Sequence, residues 1–130
     1  MIILTLRTDK PEAEIGLYDD QGQLAYETWT AHRQLAETLH SKTLDLLKRQ
    51  NKGWSDIQGL VIFKGPGSFT GLRIGLSVAN ALAYSLSVPI IGTMGDNWQT
   101  EGIENLLTGK SNKVAVPEYG SDAHITAPRK

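Results

Sequence analysis

Apolar residues follow three different rhythms along this chain of 130 residues. Ile2 to Leu6 is a β-branched, apolar run of the kind that forms a central strand. Beyond a turn at Lys10-Pro11-Glu12, Ala13, Ile15 and Leu17 alternate with Glu14, Gly16 and Tyr18, which predicts a half-buried strand. Asp20-Gln21-Gly22 makes a second turn and Leu24 to Trp29 a third strand, so this first stretch reads as an antiparallel meander. From about Ala31 to Gln50 the period lengthens. Leu35, Leu39, Thr43, Leu46 and Leu47 recur at helical spacing, and Asn51-Lys52-Gly53 ends the helix. The last rhythm is continuous: Leu60 to Phe63 and Val88 to Ile91 are short unbroken runs, as in strands buried on both faces. A helix from about Thr70 to Leu86 separates them, and a shorter one follows from Asp96 to Leu107. The order β-β-β-α-β-α-β-α predicts an α/β fold with a mixed sheet, its parallel strands joined by right-handed helical crossovers. The meander excludes a Rossmann fold.

After the third helix the periodicity stops. Residues 1–108 read as one lobe and residues 109–130 as a linker and exposed or partner-dependent tail, with a stub strand at Val114 to Pro117. Lys110, Lys113, Arg129 and Lys130 make that segment mildly basic, which fits a solubilising tail as well as a phosphate contact. Composition narrows the options further. Thirteen basic against fourteen acidic residues leave a net charge of -1, which gives no sign of a polycationic nucleic-acid binder. With no cysteine, thiolate catalysis, disulfides and cysteine metal clusters are excluded. No apolar run approaches a membrane span, and no signal peptide is evident, so the expectation is a soluble cytoplasmic domain.

Two segments stand out for function. Lys64, Gly65, Gly67 and Ser68 lie in a strand-to-helix loop whose backbone N–H groups suit an anion, although a tight turn is the better explanation of the glycines. It is neither a Walker loop nor a dinucleotide fingerprint. The helix that follows carries Gly71, Gly75 and Ala79 in a small-residue stripe, with Leu72, Ile74, Val78 and Leu82 around most of its circumference. No charged residue occurs between Ile74 and Ser85. A helix apolar nearly all round needs cover on several sides, from its own chain or from a partner, and Gly75 is expected to admit a partner helix. The three histidines, His32, His40 and His124, are too scattered for a metal site, and His40 shares a helical face with Leu44. The acidic residues do not converge on the strand ends, Trp29, Trp54 and Trp98 read as caps on the core, and catalysis has little support.

The string Gly65-Pro66-Gly67-Ser68-Phe69-Thr70-Gly71-Leu72-Arg73-Ile74-Gly75 resembles the TsaB (YeaZ) family, bacterial accessory subunits of tRNA threonylcarbamoyladenosine synthesis. Ile2 to Thr8, His40 followed by Leu44 and Leu47, Leu60-Val61-Ile62 and Val88 to Gly92 extend the resemblance over roughly residues 1–107. It implies a ribonuclease H-like lobe of the actin-like ATPase superfamily, with five strands in the order 3-2-1-4-5 and helices on both faces. A second lobe is absent from this chain on that reading, and Val116-Pro117-Glu118-Tyr119 is similar to the segment near the end of full-length members. The resemblance further implies a non-enzymatic subunit that pairs with a TsaD-type threonylcarbamoyl transferase, helps recruit a TsaE-type ATPase, forms a homodimer, and meets tRNA only through the complex. The implied interface is Leu35, Leu39, His40 and Leu44 with Thr70, Gly71, Leu72, Ile74, Gly75, Val78, Ala79 and Leu82. Where the family has Asp-Thr-Ser at the end of strand one, this chain has Arg7, Thr8 and Asp9, a degenerate nucleotide and metal position, so no cofactor and no metal is expected.

Overall fold

The computed structural model describes residues 1–31, 34–67, 69–112, 115 and 116. Five strands, β1 (Ile3–Arg7), β2 (Glu12–Asp19), β3 (Gly22–Thr30), β4 (Gly59–Phe63) and β5 (Ile90–Thr93), form one sheet in the order β3-β2-β1-β4-β5. β1–β2 and β2–β3 are antiparallel, whereas β1–β4 and β4–β5 are parallel. Among the described residues there are three α-helices, α1 (Leu35–Arg49), α2 (Phe69–Leu86) and α3 (Trp98–Leu107). The expected strand order and mixture are thus those of the structure.

The central strands are apolar because both their faces are covered. Ile3, Leu4 and Leu6 of β1 and Leu60, Val61 and Ile62 of β4 are all buried. Alternation sends Leu6 toward α1 and α2, and Ile3 and Val61 toward α3 on the opposite face. Gly102 is what lets α3 approach: a Cβ there would run into the Val61 side chain. All three helices stop in the same way, with a left-handed residue and a six-to-one hydrogen bond. Lys52 N–H donates to Leu47 O, Val88 N–H to Ala83 O and Lys110 N–H to Asn105 O. The left-handed residues are Asn51 and Ser87, each at φ 57°, and Gly109 at φ 86°.

Three local features differ from expectation. β5 starts at Ile90 rather than Val88, because pairing begins where Leu60 N–H donates to Pro89 O at 3.0 Å and proline has no N–H to give. A single 3₁₀ turn, Trp54–Asp56, links α1 to β4. The segment after α3 is anchored to the lobe at two points. Asn112 N–H donates to Ile90 O at 2.7 Å, while Gly92 N–H donates to Asn112 Oδ1 at 2.8 Å. Farther on, the Asn80 carboxamide of α2 both donates to Ala115 O and accepts from Ala115 N–H, each at 2.9 Å. Lys113, Val114 and everything from Pro117 onward, His124 included, lie outside the described residues, as do His32, Arg33 and Ser68. Among the described residues no helix is long and apolar enough to cross a membrane.

Candidate protein interface

The orientation of α2 decides which of its apolar residues can meet a partner. Leu72, Gly75, Leu76, Ala79 and Ala83 are buried, so this side of the helix faces the sheet. Gly75 lies against the end of β1: a Cβ there would come within 2.9 Å of Thr8 Cβ and Cγ2, and closer still to Oγ1. Thr8 Oγ1 in turn donates to Gly71 O at 2.7 Å. The glycine at 75 therefore accommodates the chain's own threonine, which corrects the expectation of a partner helix there. Leu72 and Ala79, and likewise Leu35 and Leu39 of α1, belong to the core and not to the surface.

What remains outside is narrower and better defined. Ile74, Val78 and Leu82, spaced by four, are half-buried along the flank of α2 that faces α1. Gly71 and Leu44 are also half-buried, and Thr70 and His40 are exposed. Between the helices lies an apolar groove of about 340 Å³, lined by Ala36, His40, Thr43, Trp54, Val78 and Leu82 among others. A hollow of about 390 Å³ at Leu35, Thr70, Gly71 and Ile74 lies farther toward the glycine loop. His40 stacks on Trp54, with ring centroids 5.1 Å apart and planes inclined by 29°, at one wall of the groove. Trp54 was thus legible as an element cap, but its role in shaping a groove was not. Trp29 is half-buried and donates to Thr38 Oγ1 at 3.0 Å, whereas Trp98 is a core residue.

The strand ends hold a different cluster. Arg7 grips Asp9 in a bidentate pair, Nε to Oδ1 at 2.7 Å and Nη2 to Oδ2 at 3.2 Å. The guanidinium also lies 3.8 Å from the centroid of Phe63, whose ring meets Trp98 edge-on at 5.8 Å. Gly67 closes over the pair, since a Cβ there would be 2.5 Å from Asp9 Cβ. Gly65, at φ 118°, needs glycine to make the preceding turn. These residues do not fit a metal–nucleotide group. The one carboxylate is already held by a guanidinium that offers five donors and no lone pair. The inner side of the glycine loop rests on that carboxylate, an unfavourable neighbour for an anion. The Lys64 stem packs against Gly92, and Ser68 lies outside the described residues. Among the described residues no three acidic or histidine side chains gather as metal ligands.

The far flank of α1 is polar. Lys42 Nζ and Arg49 Nη2 converge on Glu27 of β3 at 2.9 and 2.5 Å, and Arg49 also reaches Asp45. The hydrogen bond from Lys42 first, and then that from Arg49 against the opposing effect of burial, holds the Glu27 carboxyl below its ordinary value of 4.5. The groove side of the helix pair is apolar and the β3 side is a solvated ion network.

A mixed sheet of this order, with two helices on one face and one on the other, is a ribonuclease H-like lobe of the kind shared by the actin-like ATPases. Thermus thermophilus RuvC, in a structure with a Holliday junction substrate, shares the fold with a TM-score of 0.53 at 12% identity, over 96% of this chain and 85% of that one. More specific matches come from tRNA modification. A family model described as "TsaD: tRNA N6-adenosine threonylcarbamoyltransferase" matches residues 29–94. The tRNA threonylcarbamoyladenosine biosynthesis protein TsaB of Escherichia coli is 30% identical over 94% of this chain and 56% of its own length. YeaZ from Pseudomonas aeruginosa superposes with a TM-score of 0.66 at 27% identity, covering 72% of this chain and 43% of that one. The chain belongs to the TsaB/YeaZ family, which is homologous to the TsaD transferases. It spans about half the length of these relatives.

Proposed function

We propose that this chain is a non-catalytic subunit of the tRNA N6-threonylcarbamoyladenosine machinery, acting by docking its α1–α2 face on a TsaD-type transferase subunit. The observation that carries the reading is the apolar groove between α1 and α2, flanked by the Ile74, Val78 and Leu82 row, on a lobe whose strand ends hold an Arg7–Asp9 pair. A surface of that character suits association. Cation chemistry at the strand ends would require displacing a bidentate guanidinium from Asp9. Leu44, His40, Thr70 and Gly71 form the rim of the interface on this reading. Recruitment of a TsaE-type ATPase, a homodimer through the same helices, and contact with tRNA through the assembled complex belong to the same proposal. The lobe of residues 1–108 is its working part.

The test is co-purification with the cognate transferase subunit, followed by a tRNA modification assay with and without this chain. Val78→Asp places a charge in the groove, at a half-buried position that packs on the edge of the core. The expected result is a complex formed by the wild type, lost in Val78→Asp although that variant still unfolds cooperatively above the assay temperature, with modification lost in parallel. Equal binding by Val78→Asp would move the interface elsewhere.

A further inference from the structure

We infer that Arg7 is a positioning residue for the partner interface: paired with Asp9, its guanidinium is a cation built into the chain that seats the glycine loop and the first turn of α2, where Thr70 and Gly71 form the rim. This rests on the interface reading above and adds what holds that rim in place. Strand ends that do not fit a metal–nucleotide group carry a cation of their own. The Asp9 side chain is only 6% exposed, and a carboxylate so enclosed requires a paired charge. Arg7 supplies it through both oxygens, from Nε at 2.7 Å and from Nη2 at 3.2 Å. The guanidinium is in turn fixed over the Phe63 ring at the end of β4, 3.8 Å from its centroid.

The order of these residues along the chain explains what the pair positions. Arg7 and Asp9 flank Thr8, so closing the pair fixes the backbone on both sides of it. Thr8 is buried, donates to Gly71 O at 2.7 Å and fills the space beside Gly75, which ties the end of β1 to the first turns of α2. Asp9 meets the loop directly, because Gly67 has no room for a Cβ above it. Three consecutive residues thus hold the end of β4, the start of α2 and the loop between them. A lysine at position 7 would not do the same, since an ammonium lacks the planar fork that grips two oxygens and lies on a ring. Thr8 also lines the hollow at Thr70, Gly71 and Ile74, so the clasp and the interface rim share one wall.

The test is chemical rescue of Arg7→Ala in the full chain, well below its melting temperature so that lost stability alone changes nothing. Two quantities are read: NMR order parameters of the Gly65 and Gly67 amides in the chain alone, and affinity for the transferase subunit. The loop should fall from a rigid order parameter of about 0.85 to below about 0.6. Affinity should fall about tenfold, the cost of ordering one residue of backbone on binding. Guanidinium chloride, far below denaturing concentrations, should restore both by reoccupying the seat between Asp9 and Phe63. Sodium and magnesium chloride at equal ionic strength should restore neither. Because Arg7→Ala leaves an enclosed carboxylate unpaired, Arg7→Met combined with Asp9→Asn removes both charges and keeps the fold. This pair of substitutions should show the same two losses with no rescue by guanidinium. A loop of wild-type order in the variants, or a loosened loop with wild-type affinity, overturns Arg7 as a positioning residue and leaves the interface intact. Rescue by magnesium and not by guanidinium overturns the built-in cation in favour of a metal site. Failure of the wild type to bind the transferase subunit, with the loop loosened and rescued as expected, overturns the interface reading and the partner as the reason for the clasp.

Discussion

Replacing Gly75 by alanine is the most direct test of how α2 is seated. The new methyl would lie 2.9 Å from Thr8 Cβ and Cγ2, distances that require one of the two elements to move. Forcing such a group into a packed site costs about 1–3 kcal/mol. Displacing Thr8 also breaks its 2.7 Å hydrogen bond to Gly71 O, worth about 1 kcal/mol. Against this stands about 1 kcal/mol of helix propensity gained by leaving glycine. The balance is a destabilisation of about 2 kcal/mol, or a fall in melting temperature of about 8 °C for a domain of this size. Thermal melts followed by far-UV circular dichroism read it directly. A double-mutant cycle supplies the control, because Thr8→Ala removes Oγ1 and Cγ2, two of the three atoms nearest the new methyl, and leaves only Cβ. Gly75→Ala should therefore cost about 1 kcal/mol less in the Thr8→Ala background than in the wild type. A Gly75→Ala protein melting at or above the wild-type temperature, with partner binding lost, would refute this seating and restore the partner-helix explanation of the glycine.

Other expectations are quicker to state. Ser87→Gly relieves a left-handed serine at the end of α2, and should raise stability by about 0.5–1 kcal/mol in urea titrations. Glu27→Gln tests the ion network on β3. The folded carboxyl binds its proton less tightly than the unfolded one, so its contribution is complete above 4.5 and is lost as the pH falls through the lower folded value. Wild type should therefore exceed Glu27→Gln by at most about 1 kcal/mol at pH 7, with the difference vanishing on the acid side in pH-dependent denaturation curves. Asn80→Ala removes both hydrogen bonds to Ala115, and should speed amide hydrogen exchange at Asn112 and Ala115 with little effect on β1 and β4.

The strands and helices were legible because burial writes itself into local pattern. Leu60 to Phe63 is a continuous apolar run, and the structure buries all of it, while the leucines of α1 mark its inner face. The side to which α2 turns was not legible, since a helix apolar around most of its surface does not point. Gly75 was visible as an anomaly, but its cause, Thr8, is 67 positions away in sequence. Arg7 and Asp9 were each conspicuous, yet their pairing depends on the chain leaving β1 in a way that strand alternation does not describe. Trp54 and Thr43 come together only through the 3₁₀ turn, and the Asn80 clamp joins residues 35 apart. Such contacts depend on the assembled fold and leave no periodic trace.

That Asn80 clamp has a practical corollary for anyone dividing the molecule. A cut after α3 would seem natural, because helical structure stops at Leu107. It would expose the outer edge of β5 to any passing strand, a known route to aggregation. It would also strip both hydrogen bonds from the Asn80 amide and uncover the site now occupied by Ala115, which is 3% exposed. Among the described residues the contacts beside β5 run through Ala115, so a fragment meant to keep them extends at least that far.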